Sequence, residues 1–115
     1  MILYGIKNCN TVKSAEEWLN KHKVEFTFHD YKKAGITEAK LSGWCKQVGW
    51  ESLVNKRGTT WRQLDEATQK NVVNEKAAIA LMLEKTSVIK RPLIELNGKV
   101  VLLGFDEAAY QKTLK

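Results

Sequence analysis

The sequence predicts an α/β fold: a four-stranded mixed sheet flanked by helices, with an all-helical lobe inserted between the second and third strands. Three observations carry this. Residues up to Tyr31 read as strand, helix, strand; the stretch from about 35 to 86 shows only helical periodicity; and two apolar runs around Asn97-Gly98 precede a last helix. Two strands joined through a helix form a parallel pair with a right-handed crossover. Two apolar runs meeting at Asn-Gly form an antiparallel hairpin.

Each element has a local reason. Ile2-Leu3-Tyr4 is a short buried strand that ends at Gly5. The first helix runs from about Asn10 or Thr11 to Lys21, with Val12, Ala15, Leu19 and His22 at helical spacing on its inner side. Glu17 and Lys21 pair at i,i+4 on the outer side. Val24 to Tyr31 alternates apolar and polar residues, which predicts a second strand. Lys32-Lys33-Ala34-Gly35 breaks that pattern, and Thr37 caps a second helix carrying Leu41, Trp44, Cys45 and Val48 on one side, closed by Gly49. Trp50 to Val54 reads as a helical turn, and 55–62 as a polar, basic loop. Asp65 and Asn74 cap helices over 66–71 and 75–85, the second burying Ala77, Ala78, Leu81 and Met82. The sole proline, Pro92, opens the first hairpin strand, where a missing N–H is tolerated. Gly104 follows the second strand, and Asp106 caps a helix ending near Leu114.

The chain has 115 residues, 43% hydrophobic and 28% charged, which is the composition of one ordinary globular domain. No apolar run approaches the length of a membrane span, and the first residues lack a basic segment followed by an apolar one, so no signal peptide is expected. With two distant cysteines and no export signal, the expected compartment is the reducing cytoplasm. Cys9, His22, His29 and Cys45 have none of the paired spacings of a metal site, so no metal is expected. The net charge of +6 fits anionic partners. Nucleic acid is disfavoured among these, because the basic residues show no binding motif and cluster with an aromatic only around Lys56, Arg57, Trp61 and Arg62.

The candidate chemistry lies in Lys7-Asn8-Cys9-Asn10-Thr11. A cysteine in the turn from a strand into a helix faces unpaired first-turn N–H groups and the positive end of the helix dipole. Both favour the thiolate, which is the nucleophile. Asn8, Asn10 and Thr11 flank the sulfur, and Lys7 adds a positive charge two residues away. A small buried cysteine in a tight turn is the plainer alternative. Cys45 reads as core beside Trp44; a role as resolving thiol for Cys9 requires a spatial approach that the sequence does not give. In the 55–62 loop, an arginine beside glycine and two threonines suits capture of a carboxylate or oxyanion, although such loops are often only surface.

Three blocks taken together carry a resemblance: Tyr4-Gly-Ile-Lys-Asn-Cys9-Asn-Thr-Val-Lys, Asn55-Lys-Arg57-Gly-Thr-Thr-Trp-Arg62 and Ile89-Lys-Arg91-Pro92-Leu-Ile. In order and spacing they resemble the ArsC/Spx family (arsenate reductase-like, thioredoxin fold) and, within it, the small bacterial YffB-type branch. The resemblance covers the whole chain. It implies a single ArsC-like domain over 1–115, with a thioredoxin-like core of about 1–34 and 87–115 and a helical insertion of about 35–86. It also implies that Cys9, Arg57 and Arg91 converge on one cleft, that the cysteine attacks while the arginines bind an anion, and that the Arg91-Pro92 bond is cis. Only an X-Pro bond adopts cis at low cost, about 0.5–1 kcal/mol.

Two departures narrow the function. Where arsenate reductases of the family carry a further arginine, this chain has Val101-Leu102-Leu103-Gly104-Phe105, which weakens oxyanion binding. Where Spx regulators often have a second cysteine, it has Val12, so no Cys-x-x-Cys switch exists. With these departures the resemblance implies a glutathione-dependent thiol reductase working through Cys9 alone. No bound cofactor is implied; glutathione is the co-substrate, with Arg57, Arg91, Asn8, Asn10, Thr11 and Pro92 around it and Lys7 and Arg62 in second rank. Glutaredoxin is the implied partner. The alternatives are arsenate reductase proper, and a Spx-like regulator that binds RNA polymerase without turnover.

Overall fold

A computed structural model describes residues 1–114 of the chain. The elements run β1 (Ile2–Gly5), α1 (Asn10–Lys21), β2 (Thr27–Asp30), α2 (Tyr31–Ala34), α3 (Glu38–Val48), α4 (Trp50–Leu53), α5 (Thr59–Arg62), α6 (Glu66–Asn71), α7 (Glu75–Glu84), a 3₁₀ turn (Thr86–Val88), β3 (Leu93–Leu96), β4 (Lys99–Leu103) and α8 (Glu107–Leu114). They divide into two compact units. One comprises Met1–Ala34 and the chain from Arg91 onward; the other is Gly35–Lys90.

The first unit holds the expected four-stranded mixed sheet, in the order β2-β1-β3-β4. β1 lies parallel to β2 and antiparallel to β3, which is antiparallel to β4. Strand alternation sorts the side chains by face. Leu3 and its partners Phe28 and Ile94 point to one face, where they pack with Val12, Ala15 and Leu19 of α1 and Tyr110 of α8. Tyr4, His29, Leu93 and Glu95 occupy the other face. The hairpin turn has positive φ at both Asn97 (52°) and Gly98 (81°), the mirror-image turn that Asn-Gly favours.

Some boundaries differ from the sequence reading, and the reasons are physical. The second strand begins at Thr27 rather than Val24, because β1 offers pairing only from Ile2↔Thr27 to Gly5↔Asp30. Val24 and Phe26 still pack against the core from outside the strand. Tyr31 leaves the strand, opens α2 and is 2% exposed. On α1 the inner position falls to Trp18; His22 is half-buried and its ring lies 4.1 Å from the Trp18 ring.

In the second unit the predicted caps form. Thr37 Oγ1 accepts the Lys40 N–H at 3.1 Å, Asp65 Oδ1 the Thr68 N–H at 2.7 Å, and Asn74 Oδ1 the Ala77 N–H at 2.9 Å. Such bonds satisfy donors that a helix start leaves orphaned. The basic loop is not wholly irregular, since Thr59–Arg62 forms α5 and buries Trp61. Ile79, rather than Ala77, joins Ala78, Leu81 and Met82 on the buried side of α7. An isolated bridge, Val54↔Ile89, ties the end of α4 to the segment leading out of the unit.

Candidate functional site

Cys9 sits where β1 has ended and α1 has not yet closed its first turn. Gly5 makes this passage possible: a Cβ there would lie 2.7 Å from Cγ2 of Val12, closer than real atoms approach. The missing side chain lets the strand end and the first turn of α1 come together, with Val12 filling the gap. Cys9 is the N-cap, in extended conformation (φ −117°, ψ 123°), and its carbonyl accepts the Lys13 N–H at 2.9 Å.

The thiol is half-buried and makes no conventional cap hydrogen bond. Burial opposes its ionisation. The N–H of Val12, the guanidinium of Arg91 (through a hydrogen bond and its charge) and the N–H of Thr11 outweigh this, leaving the thiol below its ordinary pKa. These are the two influences that activate cysteines generally, a helix start and a neighbouring cation. Cys45 is the contrast. It is 5% exposed on α3, and burial followed by the charge of Glu75 pushes its thiol up. Both cysteines are free.

The other expected residues divide between the units. Lys7, Asn8, Asn10 and Thr11 surround Cys9 in sequence, and their side chains are exposed. Arg91 and Pro92 belong to the same unit as Cys9. Their peptide bond is cis, as expected, and the carbonyl of the buried Pro92 accepts the Gly104 N–H at 2.7 Å. Arg57 and Arg62 belong to the second unit, and both are exposed. The Arg57 N–H donates to Asn55 Oδ1 at 3.2 Å, and Arg62 closes α5. Nearby, the Lys56 ammonium lies 5.8 Å from the Trp50 ring and 5.4 Å from the Trp61 ring, a cation–π arrangement.

A groove of about 660 Å³ opens in the first unit beside the Cys9 turn, with Lys7, Lys13, Lys33, Phe28 and Asp30 among its lining. Among the described residues no group of three or more His, Cys, Asp or Glu side chains could hold a metal ion, and no helix is long and apolar enough to cross a membrane.

Reading residue by residue missed a buried polar cluster on the second sheet face. Glu95 is 4% exposed and accepts a hydrogen bond from Tyr4 Oη at 3.1 Å. The Tyr4 ring packs against His29 (4.7 Å) and Tyr31 (6.1 Å). Burial, then the charge and hydrogen bond of Glu95, push Tyr4 up to about 12. The available signal was the single carboxylate inside the apolar run Leu93-Ile94-Glu95-Leu96.

Comparison with known proteins bears on the family and the fold. The profile of the ArsC family matches residues 4–113. A solved structure named YFFB protein superposes with a TM-score of 0.91 at 49% identity, covering 99% of this chain and 98% of that one. An arsenate reductase (ArsC) related protein from Brucella melitensis superposes with a TM-score of 0.79 at 45% identity, covering 99% of this chain and 93% of that one. The global transcriptional regulator Spx of Streptococcus pneumoniae is 26% identical over 107 residues, 91% of this chain and 78% of the regulator.

Proposed function

We propose that this chain, which belongs to the ArsC family, is a glutathione-dependent thiol reductase that works through Cys9 alone. The observation that carries the reading is a half-buried thiol at a helix start, lowered in pKa by amide N–H groups and by Arg91. The reaction has two exchanges. The Cys9 thiolate attacks one sulfur of a disulfide, forms a mixed disulfide and expels the other sulfur as a thiolate. A glutathione thiolate then attacks the sulfur joined to Cys9, releasing a mixed disulfide of glutathione and regenerating the Cys9 thiolate. The electrons come from glutathione, and no bound cofactor takes part.

Glutathione is an anionic peptide, and cationic groups suit it. In this reading Arg91 holds the sulfur's charge and one carboxylate, and Lys7 and Lys13 border the groove that receives the peptide. Asn8, Asn10 and Thr11 form the rim, and Pro92 forms a wall. Glutaredoxin is the proposed partner that reduces the released mixed disulfide of glutathione. Arsenate is disfavoured as substrate because 101–105 supplies no arginine.

The test is intact mass after mixing reduced protein with oxidised glutathione. One adduct is expected, lost in Cys9→Ser and kept in Cys45→Ser. No adduct on the folded protein overturns the reading.

The similarity to Spx over 91% of the chain favours a second reading, a regulator that binds RNA polymerase without turnover. It predicts that polymerase co-purifies with the protein even after Cys9→Ser. The reductase reading predicts no such association.

A further inference from the structure

Glu95 has no part in the proposed exchange, yet it is a carboxylate buried in the unit that holds Cys9. Strand alternation places it on the sheet face of Tyr4 and Leu93. Tyr4 donates to it, while His29 and Tyr31 pack around Tyr4. Their own rings meet edge-on at 6.1 Å. Tyr31 is 2% exposed, and its hydroxyl has no hydrogen-bond partner. A carboxylate in such surroundings stays ionised only with a compensating positive charge. Arg91, four residues before it, supplies one that reaches this cluster: burial and then Tyr4 push the Tyr31 phenol up, Arg91 opposes them, and Glu95 adds to the rise. The same guanidinium hydrogen-bonds the Cys9 thiol.

We infer that Glu95 is a positioning residue: from within the Tyr4–His29–Tyr31 cluster it anchors the Arg91 guanidinium against the Cys9 sulfur. Arg91 is half-exposed, so an arginine without this anchor has solvent open to it. An anchored arginine keeps its charge on the thiol with less side-chain freedom to lose. Glu95 therefore acts on reactivity through Arg91, and it touches neither the sulfur nor the substrate.

The inference rests on Cys9 being the reactive thiol, and the experiment separates the two. The readout is the rate of Cys9 alkylation by iodoacetamide against pH, followed by mass of the Cys9 peptide. In the wild-type protein the midpoint is expected below that of an ordinary thiol; an ordinary midpoint overturns the reductase reading and this inference with it. In Glu95→Gln the midpoint is expected to rise, and the rate at pH 7 to fall about threefold, part of what a neighbouring cation supplies. A bare negative charge acting through space would do the reverse, since its removal lowers the midpoint. An unchanged or lowered midpoint in Glu95→Gln, beside a low wild-type midpoint, overturns the inference alone. In an Arg91→Ala background Glu95→Gln is expected to change nothing further, whereas a full additional effect there shows that Glu95 does not act through Arg91. If near-UV circular dichroism shows that Glu95→Gln has not folded, Glu95→Asp is read instead. It keeps the charge but draws it back by one methylene, so a slower rate supports the anchor and the wild-type rate overturns it.

Discussion

Cys9 and Cys45 are the same side chain in opposite settings, one facing amide N–H groups and a guanidinium, the other packed on the apolar side of α3. In folded protein alkylation is expected at Cys9 and not at Cys45, and the check is the labelled peptide. Arg91→Ala should slow Cys9 alkylation at pH 7 about tenfold, the low end of what an adjacent opposite charge supplies for a half-exposed group. The lowered pKa also couples to stability. A depressed folded value contributes stability above the unfolded thiol's pKa, and that contribution is lost as pH falls through the folded value. Cys9→Ser should therefore flatten the rise of the thermal midpoint between those two values. The place of Cys9 at a helix start was legible in the sequence because strand, turn and helix follow one another there. Glu95 was not, because its hydrogen bond comes from Tyr4 at the other end of the chain, and only the β1–β3 pairing brings them together.

At the level of elements, Gly5 sets the join between β1 and α1. Gly5→Ala places a methyl group against Val12, and overpacking of this kind costs about 1–3 kcal/mol. The expected outcome is a lower denaturant midpoint together with slower Cys9 alkylation, because the displaced element is the one that carries the thiol. In the second unit, Asn74→Ala removes the α7 cap and should cost about 1 kcal/mol, read from the denaturant midpoint. Caps and the hairpin turn were legible because each depends on a few adjacent residues. The start of the second strand was not. A strand extends only as far as its partner, and β1 is four residues long.

For the whole molecule, the net charge of +6 acts at a distance that local contacts do not. Reaction with oxidised glutathione, an anion, should slow as salt is raised across the range where the Debye length falls from about 30 to 8 Å. Reaction with an uncharged disulfide such as hydroxyethyl disulfide should change little. Equal salt dependence for both would remove electrostatic attraction from the account. The order of elements was legible from apolar periodicity along the chain; the sheet order β2-β1-β3-β4 was not, because it depends on which strands meet in space.

The first unit is drawn from both ends of the chain, and this has a consequence for a protein made on a ribosome. Cys9 leaves the exit tunnel early, while Arg91 and β3 follow only after the whole second unit has been synthesised. Until then β1 has no antiparallel neighbour, and the thiol has no guanidinium beside it. The nascent cysteine thus lacks the cation that helps to lower its pKa and has only the N–H groups of the α1 start. The guanidinium's share of the lowering therefore comes only with the last part of the chain, so the order of synthesis delays it until the two ends of the sequence meet.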